Sequence, residues 1–486
     1  MSLDRIWQQL RIDCRALAIV RIGYGALILV DLARRAPELA FANGPGGFYP
    51  AEIARGVVTV VISLHSLSDA LWLQWALFGV AAVAGAALLV GFRSRTAALV
   101  SWYLLLSLHL RNTNMADVGD HALGMCLLWL VFLPCGARWG LDAGRARRRG
   151  EIPPTEVASI ASAGLLLQVA AILFFSAFWK LSGTSWLDGT AVRLAISDDV
   201  WARPFGVWLL GYPALTALLT WATLTIEFFG PLVLVFSPRR LELWTRPPVL
   251  LGLLGFFVGV GSGMNLGLIP WIMGATLMIF LPTALLDRVF GPDPEPVPAR
   301  ADPGGIGLLG KVVPTAALAL MLFLNVDGLR SAPLLGGTSS RFLASIRLNQ
   351  GWGMYSPDPR VGSFRFIFVA EQADGRVRSL ALGGVRPGWP PMPTDPPLER
   401  IWNDYRMKMA LQDRITLPPQ RRALKALGLW YCRHSPLAPV RVQIRKVARR
   451  TVLAEPDRPV RSLLGTGTPL PYLDCPARAA KHRDDA

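Results

Sequence analysis

Lys180 is one of six lysines among 50 basic residues, the other 44 being arginine. It ends the apolar run Phe174-Phe-Ser-Ala-Phe-Trp179 and opens the segment Lys180-Leu-Ser-Gly-Thr-Ser-Trp186-Leu-Asp188-Gly189. A desolvated lysine amine gives up its proton, whereas a guanidinium effectively does not, so lysine in a chain that otherwise prefers arginine suits a general base. A lysine at the end of an apolar segment can equally snorkel to a membrane interface. Trp186 and Asp188 place an indole and a carboxylate just beyond it. They could shape a pocket, or be an interfacial aromatic and a turn former. Phe174, Phe175 and Phe178 would give such a pocket apolar walls.

A second polar cluster comprises His109, Arg111, Asn112, Asn114, Asp117, Asp120 and His121. His109 reads either as a site residue or as a hydrogen-bonded core histidine. Arg21 and Asp31 in one apolar run and Glu227 in another are further charges that must face protein or water. An ion pair or hydrogen-bonded network holding a bundle explains them without catalysis. The stretch Gly259-Val-Gly-Ser-Gly263 lacks a phosphate-binding signature and suits close helix packing. Cys14, Cys126 and Cys135 lie in or beside apolar runs, and no cysteine or histidine spacing suggests a metal site. Cys432 and Cys475 could pair.

The elements that must position these residues are helices crossing a bilayer. The 486 residues are 52% hydrophobic and 17% charged, with mean hydropathy +0.39, against roughly 25% charged in ordinary soluble domains. That excludes a soluble globular protein. Apolar runs near the ~20 residues of a membrane-crossing helix fall at about 14–33, 72–91, 95–111, 120–135, 160–181, 207–236, 249–263, 267–286 and 313–329. The N-terminus lacks a cleavage site and reads as an uncleaved first helix. The expected fold is an all-α polytopic transmembrane bundle of eight or nine spans, nine being favoured, followed by a small α+β extramembrane domain.

Residues 1–290 would form the main membrane domain, 291–312 a Pro/Gly-rich linker, 313–330 the last span and 331–486 the basic C-terminal domain. In that domain Phe364 to Ala370 and Arg376 to Leu382 flank the Asp374-Gly375 turn as a hairpin. Residues 398–411 and 419–430 look helical, and 440–453 look like a strand. No internal repeat supports an inverted-repeat transporter.

Arginines cluster at 93 and 95, at 138 and 145–149, and at 239, 240 and 246. The positive-inside rule puts these loops and the N-terminus in the cytoplasm. The loops near 34–71, 112–119, 182–206 and 264–266, and the C-terminal domain, are then extracytoplasmic. Arg34 and Arg35 fall outside this scheme. The net charge of +17 is expected to meet lipid headgroups rather than nucleic acid.

The order of motifs resembles the HTTM family, the membrane domain related to vitamin K-dependent γ-carboxylase. The motifs are Arg21-Ile-Gly-Tyr-Gly25, His109-Leu-Arg-Asn112, Gly119-Asp120, Phe132-Leu-Pro-Cys-Gly-Ala-Arg-Trp139-Gly-Leu-Asp142, Lys180 to Gly189, and Glu227 with Pro231. The resemblance covers about 10–290, and Gln350-Gly-Trp352-Gly-Met-Tyr-Ser-Pro357 looks like the region that follows the domain in bacterial members.

The resemblance implies a multi-pass protein of the bacterial inner membrane, with Lys180 at the position of the base that starts oxygenation of reduced vitamin K. It loosely matches Gly119 to His121 to a loop that contributes a histidine. The implied catalytic set is Lys180, Asp188, His109, Asp120 and His121. Trp186, Arg111, Asn112, Phe174 and Phe178 would bind a reduced isoprenoid quinone of the vitamin K or menaquinone type, with no metal. The carboxylase's large propeptide-binding region has no counterpart, so a peptide substrate recognised in the same way is not expected. Besides a carboxylase- or epoxidase-like enzyme, a non-catalytic membrane scaffold or lipid-binding protein remains open. Membrane lipids are the expected partners in both.

Overall fold

The computed structural model describes residues 7–47, 49–55, 61–112, 115–293, 307–330, 334, 343, 346, 348–360, 363–384, 391–403, 421–451, 462–464 and 471–476. Asn114, most of the expected linker (294–306) and the 404–411 half of one expected helix lie outside them.

The membrane part is built from α1 (Cys14–Arg35), α2 (Leu71–Val90), α3 (Ser94–Arg111), α4 (Val118–Val131), α5 (Ile160–Lys180), α6 (Pro213–Phe236), α7 (Glu242–Gly263), α8 (Ile269–Leu277), α9 (Thr283–Phe290) and α10 (Leu309–Asp327). Their ends follow from local chemistry. The Asp13 carboxylate caps α1 by accepting from the Arg15 N–H at 2.8 Å, and Gly91 ends α2 in a left-handed conformation at φ +70°. Asp117 with Asp120 and Ser159 with Ser162 form capping boxes that start α4 and α5. Pro213 occupies the first turn of α6, where its missing N–H costs nothing.

Every expected span coincides with a helix, but not every helix is a plain crossing. Among the described residues six helices are long and apolar enough to cross a membrane: α1 (with short turns to Asn43), α2, α5, α6, α7 and α10. The expected eighth span is α8 and α9, bent by 96°, and would make a seventh. α4 has 14 residues, about 21 Å against a ~30 Å hydrocarbon core. α3 carries Ser94, Arg95, His109 and Arg111 at its ends.

The chain sorts its connections into two ends. At one, strand β1 (Ile12–Asp13) pairs with β2 (Glu156–Val157), Arg15 bridges Asp13 and Asp287, and Asp142 receives the Arg93 and Ser94 N–H groups at 2.8 Å. This end gathers the arginine-rich loops. Arg21 is completely buried above it and donates to the carbonyls of Leu88, Leu89 and Trp139 at 2.7–2.8 Å. It therefore ties α1 to two other segments rather than to Asp31.

At the opposite end lies the C-terminal domain. Strands β3 (Ser363–Glu371), β4 (Val377–Ala381), β5 (Arg441–Thr451), β6 (Ser462–Leu464) and β7 (Leu473–Asp474) make an antiparallel sheet of order β4-β3-β5-β6, with β7 also on β5. The hairpin turns at Gly375, φ +78°. Phe366, Phe368 and Ala370 alternate onto a core with Leu424, Leu427 and Tyr431 of helix α12 (Arg421–His434), which follows α11 (Pro396–Asn403). Phe41, Ala42, Tyr49, Ala54 and Met115 from the membrane part join the same core. Arg400 grips Glu38 at 3.0 Å, and Cys432 is bonded to Cys475. The domain is thus seated on the 36–55 loop.

Candidate functional site

Lys180 is the last residue of α5 and is 3% exposed; its ammonium pairs with Glu227 of α6, 2% exposed. Neither charge could stay in an apolar bundle alone, so each explains the other. Glu227 belongs to a polar stripe: Thr216, Thr220, Thr223 and Glu227 are spaced four, three and four apart, one face of a helix. Thr216 and Thr220 donate back to helix carbonyls at 2.8 and 2.9 Å. The Thr223 hydroxyl, on a residue 8% exposed, makes no hydrogen bond among the described residues.

The Trp186 ring lies over the amine, its centre 4.7 Å from Nζ, a favourable placement for a cation. Trp186 sits in the short helix Thr184–Leu187, and the tail holds that helix in place. The indole N–H donates to the Tyr355 carbonyl at 2.9 Å, and Asp358 accepts from the Ser185 N–H at 2.8 Å and from its hydroxyl. Gly183 is where the two segments meet: a Cβ there would collide with the Pro357 carbonyl.

These groups form the polar end of a cavity of about 1240 Å³. α6 and α7 supply the largest share of its walls, which are largely apolar, residues 192–209 add to them, and Val118 and Gly119 at the start of α4 and the 353–360 segment close it. The side chains lining it that ordinarily carry charge are Lys180, Glu227, Asp198, Asp358 and Arg360. Two of the glycines anticipated as packing positions do pack, Gly261 on Pro270 and Trp271 and Gly263 on Gly206. Gly259, and Gly255 one turn earlier, face the cavity instead, with nothing within 4 Å of a Cβ built on them.

Residues 10–284 match the family model of the HTTM domain. The chain belongs to the HTTM family. No curated protein and no solved structure matches it. The HTTM match marks a γ-carboxylase-like, multi-pass membrane protein. It ends before Tyr355, Asp358 and Arg360, so this HTTM cavity is completed by residues beyond the matched region.

The residues singled out from the sequence fall into separate places in this HTTM domain. Lys180 and Trp186 meet at the cavity. Asp188 is exposed and turns the chain, its carboxylate accepting from the Thr190 N–H at 2.9 Å and hydroxyl at 2.6 Å. Phe174 packs on Phe228 with ring centres 4.9 Å apart, and Phe178 is partly exposed; this aromatic group flanks the Lys180–Glu227 pair outside the cavity lining. His121 tilts against the fully buried Trp352, 5.3 Å between ring centres, and its Nε2 is 2.6 Å from the Asn349 carbonyl. It anchors the tail.

His109 and Asp120 form a different buried group. Arg35 reaches Asp31 at 2.7 Å and Asp120 at 2.9 Å, and His109 Nε2 is 3.5 Å from Asp120. Arg35 is thus no loop charge, which explains why it did not follow the orientation scheme. Asp120 also accepts from the Asp117 N–H at 3.0 Å. Arg111 pairs with Asp69, while both amide atoms of Asn112 are buried without a hydrogen-bond partner among the described residues. Beside them His65, which the sequence reading passed over, bonds through Nδ1 to the Ser107 hydroxyl at 2.8 Å. Burial, and then the Arg111 charge, push its pKa down to about 3.

Sequence reading also passed over Thr223, although the four-three-four spacing ending at Glu227 was its signal. Tyr355 falls in the quoted Gln350–Pro357 segment but its role was not legible there, and Asp358 carried no signal, because each acts through contacts with a segment about 170 residues away.

Proposed function

We propose that this HTTM protein is a carboxylase- or epoxidase-like membrane enzyme in which Lys180 is the general base toward a reduced isoprenoid quinone of the vitamin K or menaquinone type. What carries the reading is the buried Lys180–Glu227 pair at the polar end of a large apolar cavity. The lining fits such a group: an apolar tail finds walls from α6 and α7, and an oxygen-bearing ring finds polar partners at Lys180 and Thr223.

The chain's part is proton handling. Glu227 can take the ammonium proton of Lys180 along their hydrogen bond, leaving a neutral amine with the pair's net charge unchanged. That amine then accepts the proton of a hydroxyl presented at Nζ. Trp186 covers the amine on one side and restricts water. When bound, a reduced naphthoquinone would supply four electrons to dioxygen, one oxygen atom entering the epoxide and the other leaving as water.

The polypeptide crosses the bacterial inner membrane nine times in this reading, with the cavity's polar end and the C-terminal domain outside the cytoplasm. The Cys432–Cys475 bond fits an oxidising compartment. One observation favours the alternative, a lipid-binding scaffold: the Lys180–Glu227 pair satisfies both charges as a purely structural link would. Lys180→Arg separates the two, since arginine keeps the charge but cannot be the base. The enzyme reading expects protein-dependent oxygen consumption with reduced menaquinone in the wild type and its loss in that variant; no protein-dependent consumption by either would leave the scaffold, and equal consumption by both would rule out Lys180 as the base.

A further inference from the structure

The arginine-rich end of the bundle carries a surface that the chemistry at Lys180 does not use. Two short helices meet there. One is α9, bent by 96° from α8, so that it runs across the end of the bundle rather than along it. The other is Leu141–Arg148, in the connection between α4 and α5. The rings of Trp139 and Phe290 join them, with centres 4.7 Å apart.

Both rings are exposed, as are Leu141 and Val289 beside them, yet the backbone under them is fixed. Arg21, wholly buried, donates to the Trp139 carbonyl at 2.8 Å. Gly140 packs on Gly91, whose carbonyl accepts from the Asp142 N–H at 2.8 Å. Trp139 itself is left-handed at φ +48°, a conformation that a bulky side chain adopts only at a cost. With the indole 42% exposed, burial within the protein returns little of that cost. The boundary between acyl chains and head groups is where an exposed indole is favourable.

The charges at this end are unbalanced in one place. Asp13 and Asp287 pair with Arg15, Glu156 with Arg11, Asp293 with Arg138 and Glu242 with Arg246. Asp142 accepts from the Arg93 and Ser94 N–H groups, and Arg145, 3.7 Å from Asp142, lies over the Phe92 ring. Arg147, Arg148, Arg149 and Arg288 are exposed and make no ion pair or side-chain hydrogen bond among the described residues. Glu151 is the one exposed acid next to the run of three. Consecutive cations repel one another, and an external anion relieves that repulsion. Guanidinium groups match phosphate oxygens in charge and in hydrogen-bond geometry.

We infer that this corner is a binding site for an anionic phospholipid. Arg147 to Arg149 and Arg288 hold its phosphodiester, and its acyl chains lie against Trp139, Leu141 and Phe290. α9 then lies in the plane of the membrane as an interfacial helix does. An uncharged lipid would cover the rings but leave the arginines unneutralised, so the site prefers net negative charge. Nothing in this rests on the quinone reading.

The test uses the full-length purified protein in an uncharged detergent, with dioleoyl phosphatidylglycerol and dioleoyl phosphatidylcholine as probes and binding read by native mass spectrometry. The wild type should bind phosphatidylglycerol at least tenfold more tightly than phosphatidylcholine. Replacing Arg147, Arg148, Arg149 and Arg288 together by glutamine should bring that preference below threefold, with the melting temperature preserved. Arg376→Gln with Arg378→Gln, in the C-terminal domain, should leave it unchanged. Trp139→Asn, which suits a left-handed position, and independently Phe290→Ser should each weaken phosphatidylglycerol at least threefold in folded protein.

An undiminished preference in the four-arginine variant, or an equal drop in the C-terminal control, would overturn the site in favour of overall charge. Displacement of phosphatidylglycerol by equimolar inorganic phosphate would make it a site for free phosphate and overturn the lipid assignment. Unaltered phosphatidylglycerol binding in whichever of Trp139→Asn and Phe290→Ser folds would overturn the aromatic seat.

Discussion

The indole N–H of Trp186 donates to the carbonyl of Tyr355 at 2.9 Å. The aromatic ring over Lys180 is therefore held by the tail of the chain, across 169 residues, and not by the membrane bundle alone. The proposed base, its covering ring and the tail segment are thus joined by direct contacts.

Asp358 makes that dependence testable. Its carboxylate satisfies the Ser185 N–H and hydroxyl, so Asp358→Ala leaves donors in a confined loop unpaired, at about 1–3 kcal/mol. A lower melting temperature is expected, with weaker menaquinone-4 binding in protein that remains folded. Asp358→Asn keeps an acceptor and should recover most of both. An alanine variant indistinguishable from wild type would show that the tail does not support the ring.

The Lys180–Glu227 pair should behave as a unit in stability as well as chemistry. Lys180→Met alone strands a buried carboxylate and Glu227→Leu alone strands a buried ammonium, each at about 3–5 kcal/mol. Replacing both should be much less destabilising than the sum. A double-mutant cycle on melting or denaturant midpoints checks this, and additive losses would contradict the coupling.

Arg35 joins Asp31 of its own helix to Asp120 at the start of α4. Arg35→Leu removes the cation from two buried carboxylates and is expected to cost about 3–5 kcal/mol. Arg35→Lys should recover part, because one ammonium cannot reproduce a fork that reaches both. Expression and thermal stability of the two variants give the ranking.

His65 predicts a pH dependence. Its folded-state pKa is pushed down to about 3 by burial and Arg111, below an unfolded value of about 6.5. Between these values the unfolded chain binds the proton and the folded chain does not, so stability falls as pH falls. From pH 6.5 to pH 5 the loss from this group is about 1.6 kcal/mol. Melting curves at the two pH values should show a larger loss for wild type than for His65→Gln; equal losses would mean that His65 does not stay neutral when folded.

The helical architecture was largely legible because hydropathy and capping act locally: the Asp117–Asp120 and Ser159–Ser162 boxes begin α4 and α5 close to where the apolar runs begin. Less legible was which helices are plain crossings, since the break between α8 and α9 and the shortness of α4 reflect packing. Lys180 stood out by contrast with a chain of arginines, and Glu227 as a charge in an apolar run. Their pairing was invisible because it spans 47 residues. Arg35 was misplaced for the opposite reason: a charge at the end of an apolar run looks like a loop residue until its two carboxylates are known. Thr223 and the two cavity-facing glycines look like filler, and only the space in front of them distinguishes them.

The central claim is that Lys180 acts as base in oxygenation of a reduced quinone. Its most direct test incubates the purified protein with reduced menaquinone-4 under oxygen-18 gas and measures the quinone by mass spectrometry. The account predicts epoxide carrying one oxygen-18 atom with the wild type, and none above background with Lys180→Arg folded to the same melting temperature. Labelled epoxide formed equally by both proteins, or by neither, would contradict it.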